Sequence, residues 1–353
     1  MTINQESIII FKNDAVGDLT QTLPAINNII NNNQNTKIII YLSERSKNFS
    51  FLINNNFHKN IIFKMINYNL SFFEKLKIFF FISFNKISNI YILTPKNFYF
   101  YLPLLFQKIK FYAVCINGPN NYKRPNNFLR NFLFKYKIND RGKIFKRPSI
   151  VDIQMDLTKQ KDVNDYRYNF YVNLKISDLL KKYIPKNYVY FHIKKSTVDK
   201  LEWGISELDY LFTQLLNYYD NVVFTKDIEK NNDSNIYKDK FNSLDFLTKK
   251  FEKKNNKIFF FDNIEGQDLY NTIMNSSKIV AFHGMMTNIG SLNKKMITDL
   301  WDCDIKNWND YRNYRNALYE FKPVYKGYNF IIPSKNIQKT FSKIKFSLKK
   351  VNE

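Results

Sequence analysis

Apolar and polar residues follow one another in blocks along this chain, and the first block is the most informative. Ile8 to Phe11 is an unbroken apolar run, which is typical of a strand covered on both faces in a parallel sheet. After a polar turn, apolar residues recur at helical spacing, at Leu19, Leu23, Ile26 and Ile30. Because proline is tolerated in a first helical turn, Pro24 indicates that the regular helix begins near Thr22, which would cap it.

The same succession of strand and helix continues through both halves. The strands predicted in the first half are Ile8–Phe11, Lys37–Leu42, Ile61–Phe63, Ile90–Leu93 and Phe111–Val114. Those predicted in the second half are Val189–Ile193, Asn221–Phe224, Lys257–Phe261, Lys278–Ala281 and Met296–Thr298. The clearest helix begins at Ser206, which has capping-box spacing to Asp209. The pattern predicts an α/β protein with two Rossmann-like, doubly wound domains facing a cleft, over residues 1–178 and 179–353.

Net charge narrows the choice of partner. The chain has 353 residues and a formal net charge of +23, which favours an anionic partner such as nucleic acid, an anionic membrane or a phosphorylated substrate. The alternative is compositional, since the chain is crowded with Asn, Ile and Lys and has only 8 Gly. Two distant cysteines fit a reducing compartment and disfavour a metal cluster. No signal peptide is recognised, and no apolar stretch reaches the ~20 residues that span a bilayer.

The region from Asn97 to Arg147 mixes aromatic residues with cations, among them Lys123 and Arg124. Three interpretations stay open. The region is a core segment with a solvated loop, a face that lies on an anionic membrane or glycolipid, or a platform for single-stranded nucleic acid.

The turn after the first strand carries the first candidate for chemistry. Asp18 stands where open parallel sheets bind ligands, although an acidic residue there also suits a helix start. Gly17, Asp18, Pro24 and Ala25 resemble the N-terminal signature of the heptosyltransferases (glycosyltransferase family 9), G-D-x-x-x-x-x-P-A. The resemblance implies that Asp18 is the base that deprotonates the acceptor hydroxyl. Nearby polar groups, with the cations of the aromatic region, are expected to bind the acceptor, namely Lys12, Asn13, Lys123 and Arg124.

Two stretches of the second half resemble the family's donor site. In the family, the loop after the first strand of this half carries a lysine shortly before a tryptophan, and Lys200 and Trp203 match that placement. The resemblance therefore implies that Lys200 binds the donor diphosphate. The alternative is that Lys200 is a solvated loop lysine without a role in binding. Three further residues of this loop are expected to bind the donor: Lys195, Ser196 and Thr197.

The second stretch is Lys278 to Leu292, where the family has D-T-G-x-x-H. This chain departs from that motif, with His283, Gly284 and Met285 in place of D-T-G and Asn288 in place of the histidine. Thr287 can cap the following helix, whose backbone N–H groups would bind a diphosphate. After the second strand of this half, Glu229 or Asp227 would hold the ribose. His283 is either structural or part of the site.

The resemblance implies a GT-B glycosyltransferase that transfers a sugar with inversion, from ADP-heptose or a similar nucleotide-sugar to a lipopolysaccharide core or another cell-surface glycan. It implies no cofactor and no metal, and a place on the cytoplasmic face of the inner membrane. The family's C-terminal helix crosses back to the first domain. Two alternatives remain: a non-catalytic protein of the same fold that binds a glycan or anionic lipid, and a basic nucleic-acid-binding protein, which the charge motivates.

Overall fold

The computed structural model describes residues 6–53, 60–94, 96–117, 136–140, 150–158, 172, 174–227, 234–301, 318, 321–323 and 325–349. Its contacts divide the chain into two units, one of Met1–Val172 and Lys306–Lys322, the other of Asn173–Ile305 and Pro323–Glu353. The predicted division into residues 1–178 and 179–353 stays a prediction, as does the crossing back of the C-terminal helix.

The first unit is built on a parallel sheet in the order β3-β2-β1-β4-β5-β6. Its strands are β1 (Ser7–Lys12), β2 (Lys37–Ser43), β3 (Ile61–Ile66), β4 (Ile87–Ile92), β5 (Lys110–Asn117) and β6 (Tyr136–Asp140). Its helices are α1 (Val16–Asn31), α2 (Phe72–Phe84), α3 (Asn97–Leu105) and α4 (Ile150–Leu157), with a 3₁₀ helix at Glu44–Leu52. The five strands predicted for this half are confirmed.

Strand β1 is the central strand of this sheet. Each of its six residues is buried, as the unbroken apolar run predicts for a strand with helices on both faces. Phe11 stacks on Tyr99 of α3 with ring centroids 4.2 Å apart. This packing holds the carboxyl end of β1 against the start of α3, beside the turn that carries Asp18.

Helix α1 corrects the expectation that the regular helix begins near Thr22. It begins at Val16 and keeps Pro24 in its interior. Thr22 lies within the helix, where its hydroxyl donates to the backbone oxygen of Asp18 at 2.9 Å. Proline removes one backbone hydrogen bond, but burial of the apolar face is the larger contribution to helix stability. The earlier start places Asp18 in the first turn.

The second unit is built on an eight-stranded sheet in the order β10-β9-β11-β8-β7-β12-β13-β14, in which only β9 and β10 pair antiparallel. Its strands are β7 (Tyr188–Ile193), β8 (Asn221–Lys226), β9 (Asn242–Asp245), β10 (Lys250–Glu252), β11 (Ile258–Asp262), β12 (Lys278–Phe282), β13 (Ile297–Leu300) and β14 (Tyr328–Ile331). Its helices are α5 (Asp178–Tyr183), α6 (Lys195–Leu201), α7 (Ile205–Leu215), α8 (Ser234–Lys240), α9 (Gly266–Asn275), α10 (Met285–Leu292) and α11 (Ile337–Lys349). The five strands predicted for this half are confirmed, whereas the short strands β9, β10 and β14 were not predicted.

The predicted capping box of Ser206 and Asp209 is wrong. Helix α7 begins at Ile205, and the carboxylate of Glu207 accepts from the backbone N–H of Gly204 at 2.9 Å. Glutamate has the reach for this contact from the third helical position. Asp209 instead pairs with Lys240 at 2.8 Å.

Helix α11 packs on the sheet of the second unit through Phe341, Ile344 and Leu348, all of them buried. Lys278 of β12 is also buried, and its ammonium donates to the backbone oxygen of Ser347 at 2.9 Å. Burial lowers the pKa of Lys278 to about 8. The helix therefore supplies both apolar cover and a polar partner to the central strands.

Candidate active site

The strand order of the first sheet reverses between β1 and β4. Open parallel sheets have a ligand-binding crevice at such a reversal, outside the carboxyl ends of the strands. The turn from Lys12 to Val16 leaves β1 at this point. The reversal therefore coincides with the stretch in which the sequence predicts the catalytic base.

Asp18 is solvent-exposed in the first turn of α1. Its carboxylate accepts a hydrogen bond from the backbone N–H of Ala15, the residue before the helix. The surrounding protein displaces water and raises the pKa of Asp18 above the usual 3.8, while the charge of Lys12 opposes this shift and that of Asp14 adds to it. A raised pKa makes the ionised carboxylate a better proton acceptor.

Lys12 and Asn13 are buried beneath this turn. The ammonium of Lys12 pairs with Asp14 at 2.7 Å. The side-chain amide of Asn13 donates to the backbone oxygen of Asn67 at 3.0 Å. The hydroxyl of Tyr99 donates to the side-chain oxygen of Asn13 at 2.8 Å. The structure thus shows both residues holding the loop, and their expected contact with an acceptor stays a prediction.

Several polar groups near the carboxyl end of β1 were not predicted from the sequence. The backbone N–H of Thr94 donates to the backbone oxygen of Phe11 at 3.2 Å, and the ammonium of Lys96 donates to that of Asn13 at 3.5 Å. The guanidinium of Arg45 lies 4.9 Å from the ring centre of Tyr68, and the ammonium of Lys96 lies 4.5 Å from it. Burial lowers the pKa of Lys96. Thr94, 2% exposed just after β4, has a hydroxyl that bonds to no partner in the described part of the chain. The signal available in the sequence was a threonine and a lysine directly after a predicted strand.

The order of the second sheet reverses between β7 and β12. The two stretches predicted to bind the donor follow these two strands, so the fold brings both loops to one crevice. After β7, helix α6 carries all four of the residues predicted there. Ser196 and Lys200 are exposed, Lys195 is half-buried, and Thr197 is fully buried.

A pocket of about 270 Å³ opens beside α6. Its apolar wall is formed by Ile193, Val198, Trp203, Gly204, Ile205, Ile236 and Tyr237. Two lysines and two aspartates bring charge to it, namely Lys195, Lys226, Asp199 and Asp227. Such a lining suits a planar, partly polar group. Glu229, the other predicted ribose ligand, lies outside the described residues, as do Lys123 and Arg124.

Asp227, which lines this pocket, is held by His192, whose Nε2 lies 3.1 Å from the carboxylate of Asp227. Burial alone would raise the pKa of Asp227. The hydrogen bond and charge of His192, the charge of Lys194 and the backbone N–H of Lys195 outweigh burial, so the pKa lies below the usual 3.8. Asp227 is therefore a ready acceptor for hydroxyl donors.

After β12, His283 contacts a buried carboxylate. Its Nδ1 lies 2.7 Å from Oδ2 of Asp299, and its ring stacks on Trp301 with centroids 3.7 Å apart. The same oxygen accepts from the indole N–H of Trp301 at 3.0 Å and from the hydroxyl of Tyr328 at 2.7 Å. Burial, together with the charge of Asp299, raises the pKa of Tyr328 well above its usual range. Asp299 was not predicted as a site residue because it lies on the neighbouring strand, β13.

Helix α10 begins directly after Gly284. The hydroxyl of Thr287 accepts from the backbone N–H of Gly284 at 3.2 Å and donates to its oxygen at 3.0 Å, so Thr287 closes the start of the helix from within its first turn. Met285 is half-buried, whereas Asn288 is only 6% exposed. The first backbone N–H groups of α10 remain the natural anion ligands of this turn.

Among the described residues, no group of three or more His, Cys, Asp or Glu side chains is arranged to hold a metal ion. The expectation of a metal-free reaction stays a prediction.

No family model matches the sequence, and no curated protein matches it. Solved structures do match the fold. The ADP-heptose LPS heptosyltransferase II of E. coli is 11% identical, with 98% of this chain and 100% of that one covered at a TM-score of 0.62. A family 9 glycosyl transferase from Veillonella parvula is 12% identical, with 99% of each chain covered and a TM-score of 0.60. A proposed UDP-N-acetylglucosamine 2-epimerase from Listeria monocytogenes is 9% identical, with 98% and 88% covered and a TM-score of 0.57. The chain therefore has the two-domain GT-B fold and resembles the heptosyltransferases of glycosyltransferase family 9.

Proposed function

We propose that this protein is an inverting glycosyltransferase that moves a heptose-like sugar from a nucleotide diphosphate to a lipopolysaccharide core or another cell-surface glycan. One observation supports this most: in a GT-B fold, the reversal point of the first sheet carries Asp18, a carboxylate with a raised pKa. Fold alone does not specify a reaction, so the proposal depends on these side chains.

Asp18 acts as the general base. Its carboxylate takes the proton of the acceptor hydroxyl while the hydroxyl oxygen attacks the anomeric carbon. The bond from that carbon to the diphosphate oxygen breaks on the opposite face, which inverts the configuration. The nucleoside diphosphate leaves with the bonding electron pair, and Asp18 returns its proton to water.

The second unit binds the departing diphosphate. Lys200 and Lys195 supply positive charge from α6, and the first N–H groups of α10 supply donors that need no reorganisation. The Nε2 of His283 adds a further ligand, since its Nδ1 is engaged by Asp299. Together these groups balance the charge that develops on the leaving group.

The pocket beside α6 receives the nucleoside. Its apolar wall would cover the base, while Asp227, or Glu229 beyond it, would accept from the ribose hydroxyls. ADP-heptose or a similar sugar is proposed as the donor because the protein of highest TM-score reported above is described as an ADP-heptose enzyme. No cofactor or metal is assigned. The acceptor would be an anionic glycolipid met at the cytoplasmic face of the inner membrane, with Lys123 and Arg124 at its phosphates.

A second candidate is a non-catalytic protein of this fold that holds a glycan or anionic lipid. The observation that favours it is His283, which stands where the family has the aspartate of D-T-G-x-x-H and is engaged with Asp299. The family's first-position carboxylate is therefore missing from this turn.

A thermal-shift screen separates these functions. The protein is heated with ADP, UDP, GDP and CDP and then with their sugars, and the best sugar is incubated with lipopolysaccharide of truncated core. A transferase shows a rise in melting temperature with one diphosphate and releases that diphosphate only when acceptor is present. Stabilisation by glycan without any nucleotide effect would favour the binding protein. Sugar conversion without acceptor would indicate an epimerase.

A further inference from the structure

Helix α2 presents aromatic side chains to solvent. Phe73, Phe80 and Phe84 are 72%, 50% and 82% exposed. With Lys77 they follow a spacing of four, three and four residues, which places them on one side of the helix. Phe80 and Phe84 stack on each other at 6.1 Å. We call these three side chains the phenylalanine face, and a contiguous exposed apolar surface of this kind marks an interaction site.

The fold does not need this face. The opposite side of α2 packs into the core through Ile78 and Ile82, which are 1% and 2% exposed. The helix start is fixed by Glu74, whose carboxylate accepts from the backbone N–H groups of Asn67 and Ser71, each at 2.7 Å. The helix is thus capped and anchored without the three phenylalanines. Another molecule is therefore needed to bury their exposed rings.

Cations outnumber carboxylates in and after this helix. The chain has 31 acidic residues, yet none lies between residues 75 and 139, where eleven lysines and arginines occur. Lys77 is exposed on α2, and Lys86 is exposed beside it, where its ammonium lies 3.4 Å from the carboxylate of Glu6. The ring contact of Phe79 with Phe106, at 5.4 Å, brings the segment that carries Lys108 against the same helix. With Glu74 and Glu6 as the nearby carboxylates, the rim of the face keeps a net cationic charge.

An anionic bilayer fits this combination. No described helix is long and apolar enough to cross a membrane, and the 13 residues of α2 suit a helix that lies in the interface. Its rings would enter the boundary of headgroups and acyl chains, while its lysines would meet lipid phosphates. A symmetric second copy would instead bring like charges together.

We propose that the phenylalanine face of α2, with its cationic rim, is the surface by which the first unit docks on an anionic membrane. This inference deepens the proposed function, since a lipid-linked acceptor would be met at that surface. It adds a specific helix to the expectation of peripheral contact, which the sequence analysis placed in the region from Asn97 to Arg147.

Vesicle flotation tests the proposal. The full chain is mixed with vesicles of phosphatidylcholine alone or with 30% phosphatidylglycerol, a fraction of roughly one lipid in three chosen to give an anionic surface. The triple variant Phe73→Gln, Phe80→Gln, Phe84→Gln is compared with wild type and with the control Leu247→Gln, Phe346→Gln, whose residues are 78% and 67% exposed in the second unit. We expect wild type and control to bind anionic vesicles and the triple variant to bind at least about tenfold less.

Equal binding of the triple variant and wild type would overturn the proposal, as would failure of wild type to bind either vesicle. Self-association of wild type that the triple variant lacks, without vesicle binding, would make the face a subunit interface and would also overturn it. Nucleotide diphosphate melting shifts are measured on the same samples. If these are absent while vesicle binding is lost in the triple variant, the proposed function fails and the docking surface stands.

Discussion

The Nδ1 of His283 lies 2.7 Å from Oδ2 of Asp299, a carboxylate with no exposed surface. Because Oδ2 is the acceptor of the Trp301 indole and the Tyr328 hydroxyl, the proton of this contact belongs to Nδ1. No described residue engages Nε2, which is the atom left for a ligand. The pair therefore fixes both the tautomer and the orientation of the imidazole, as an orienting carboxylate does for histidines in other sites.

Replacing Asp299 should reveal how the three donors depend on it. Asp299→Ala removes the acceptor of His283 Nδ1 and of the Tyr328 hydroxyl, while the indole N–H of Trp301 keeps the Tyr328 oxygen at 3.0 Å. We expect it to lower the free energy of unfolding by about 3–5 kcal/mol. Asp299→Asn can direct its nitrogen to the position of Oδ1, which has no partner among the described residues, and should cost only about 1–2 kcal/mol. Denaturant unfolding measures both. Equal losses for the two variants would contradict this arrangement.

His283→Gln should weaken the binding of nucleoside diphosphates by roughly tenfold, since a hydrogen bond to a charged phosphate is worth about 1.5–3 kcal/mol. Binding of the corresponding monophosphate should change less if the histidine contacts the outer phosphate. Isothermal titration with both nucleotides gives the comparison. Unchanged diphosphate affinity would make His283 a structural residue.

Asp18→Asn should lower turnover by roughly a hundredfold or more, because a general base supplies factors of that size. Asparagine keeps the oxygen that accepts from Ala15. Asp18 is harder to ionise in the folded chain than in the unfolded chain, because its pKa is raised on folding. The contribution of Asp18 to the free energy of unfolding therefore falls as pH rises from below 3.8 to above the raised pKa. The variant should therefore melt no lower than wild type at pH 7. A residue that only served the helix start would instead lose melting temperature and keep activity.

The same shift sets the pH profile. The kcat/KM of wild type should fall as pH falls through the raised pKa of Asp18, because protonation removes the base. That acid limb should be missing from the residual activity of Asp18→Asn. An identical limb in both proteins would assign it to another group.

Lys200→Ala should reduce donor affinity by about tenfold while acceptor affinity changes little, since a lysine acts on phosphate as a point charge. Lys181→Ala is the matched control, because Lys181 is 54% exposed on α5 and away from the reversal of the sheet. Titration with the donor and with a truncated acceptor separates the two effects. Equal loss in the control would mean that net charge alone is responsible.

Gly284, which precedes α10, and Gly290, which lies within it, should differ in the stability that each loses on substitution by alanine. A Cβ at Gly290 would lie 2.3 Å from Cδ1 of Ile279 and 3.1 Å from that of Ile297. Gly290→Ala should therefore cost about 1–3 kcal/mol of unfolding free energy through overpacking. A Cβ at Gly284 meets nothing closer than 4.0 Å, and Gly284→Ala should change stability by less than about 0.5 kcal/mol. Thermal melts of the two variants give the test.

Hydrophobic period and turn residues were enough to predict ten of the fourteen described strands, because buried parallel strands have continuous apolar runs such as Ile8 to Phe11. The strands β6, β9, β10 and β14 were not predicted. Residues that follow the predicted strands were also predictable as site candidates, Asp18 and His283 among them. What the pattern lacked was contact between separate segments. The pairing of His283 with Asp299 depends on the adjacency of β12 and β13, which is set by tertiary packing and leaves no mark in either segment alone.

Helix boundaries failed for a related reason. Thr22 was predicted to cap α1 because proline disfavours a helix interior, yet the surrounding core kept Pro24 inside it. Ser206 was predicted to cap α7, yet Glu207 reached back to Gly204. Local preferences of about 1 kcal/mol decide such ends only when packing does not.

The dependence of Lys278 on Ser347 has a consequence for how the protein is made. Strand β12 would leave the ribosome with an ammonium whose acceptor lies 69 positions later. Until synthesis passes Leu348, the second unit has neither that acceptor nor the apolar cover of the last helix. The strands described for the sheet of the first unit end at Asp140, and the segment Lys306–Lys322 of that unit is made later. Folding should accordingly be vectorial, with the sheet whose first strand leads to Asp18 formed first.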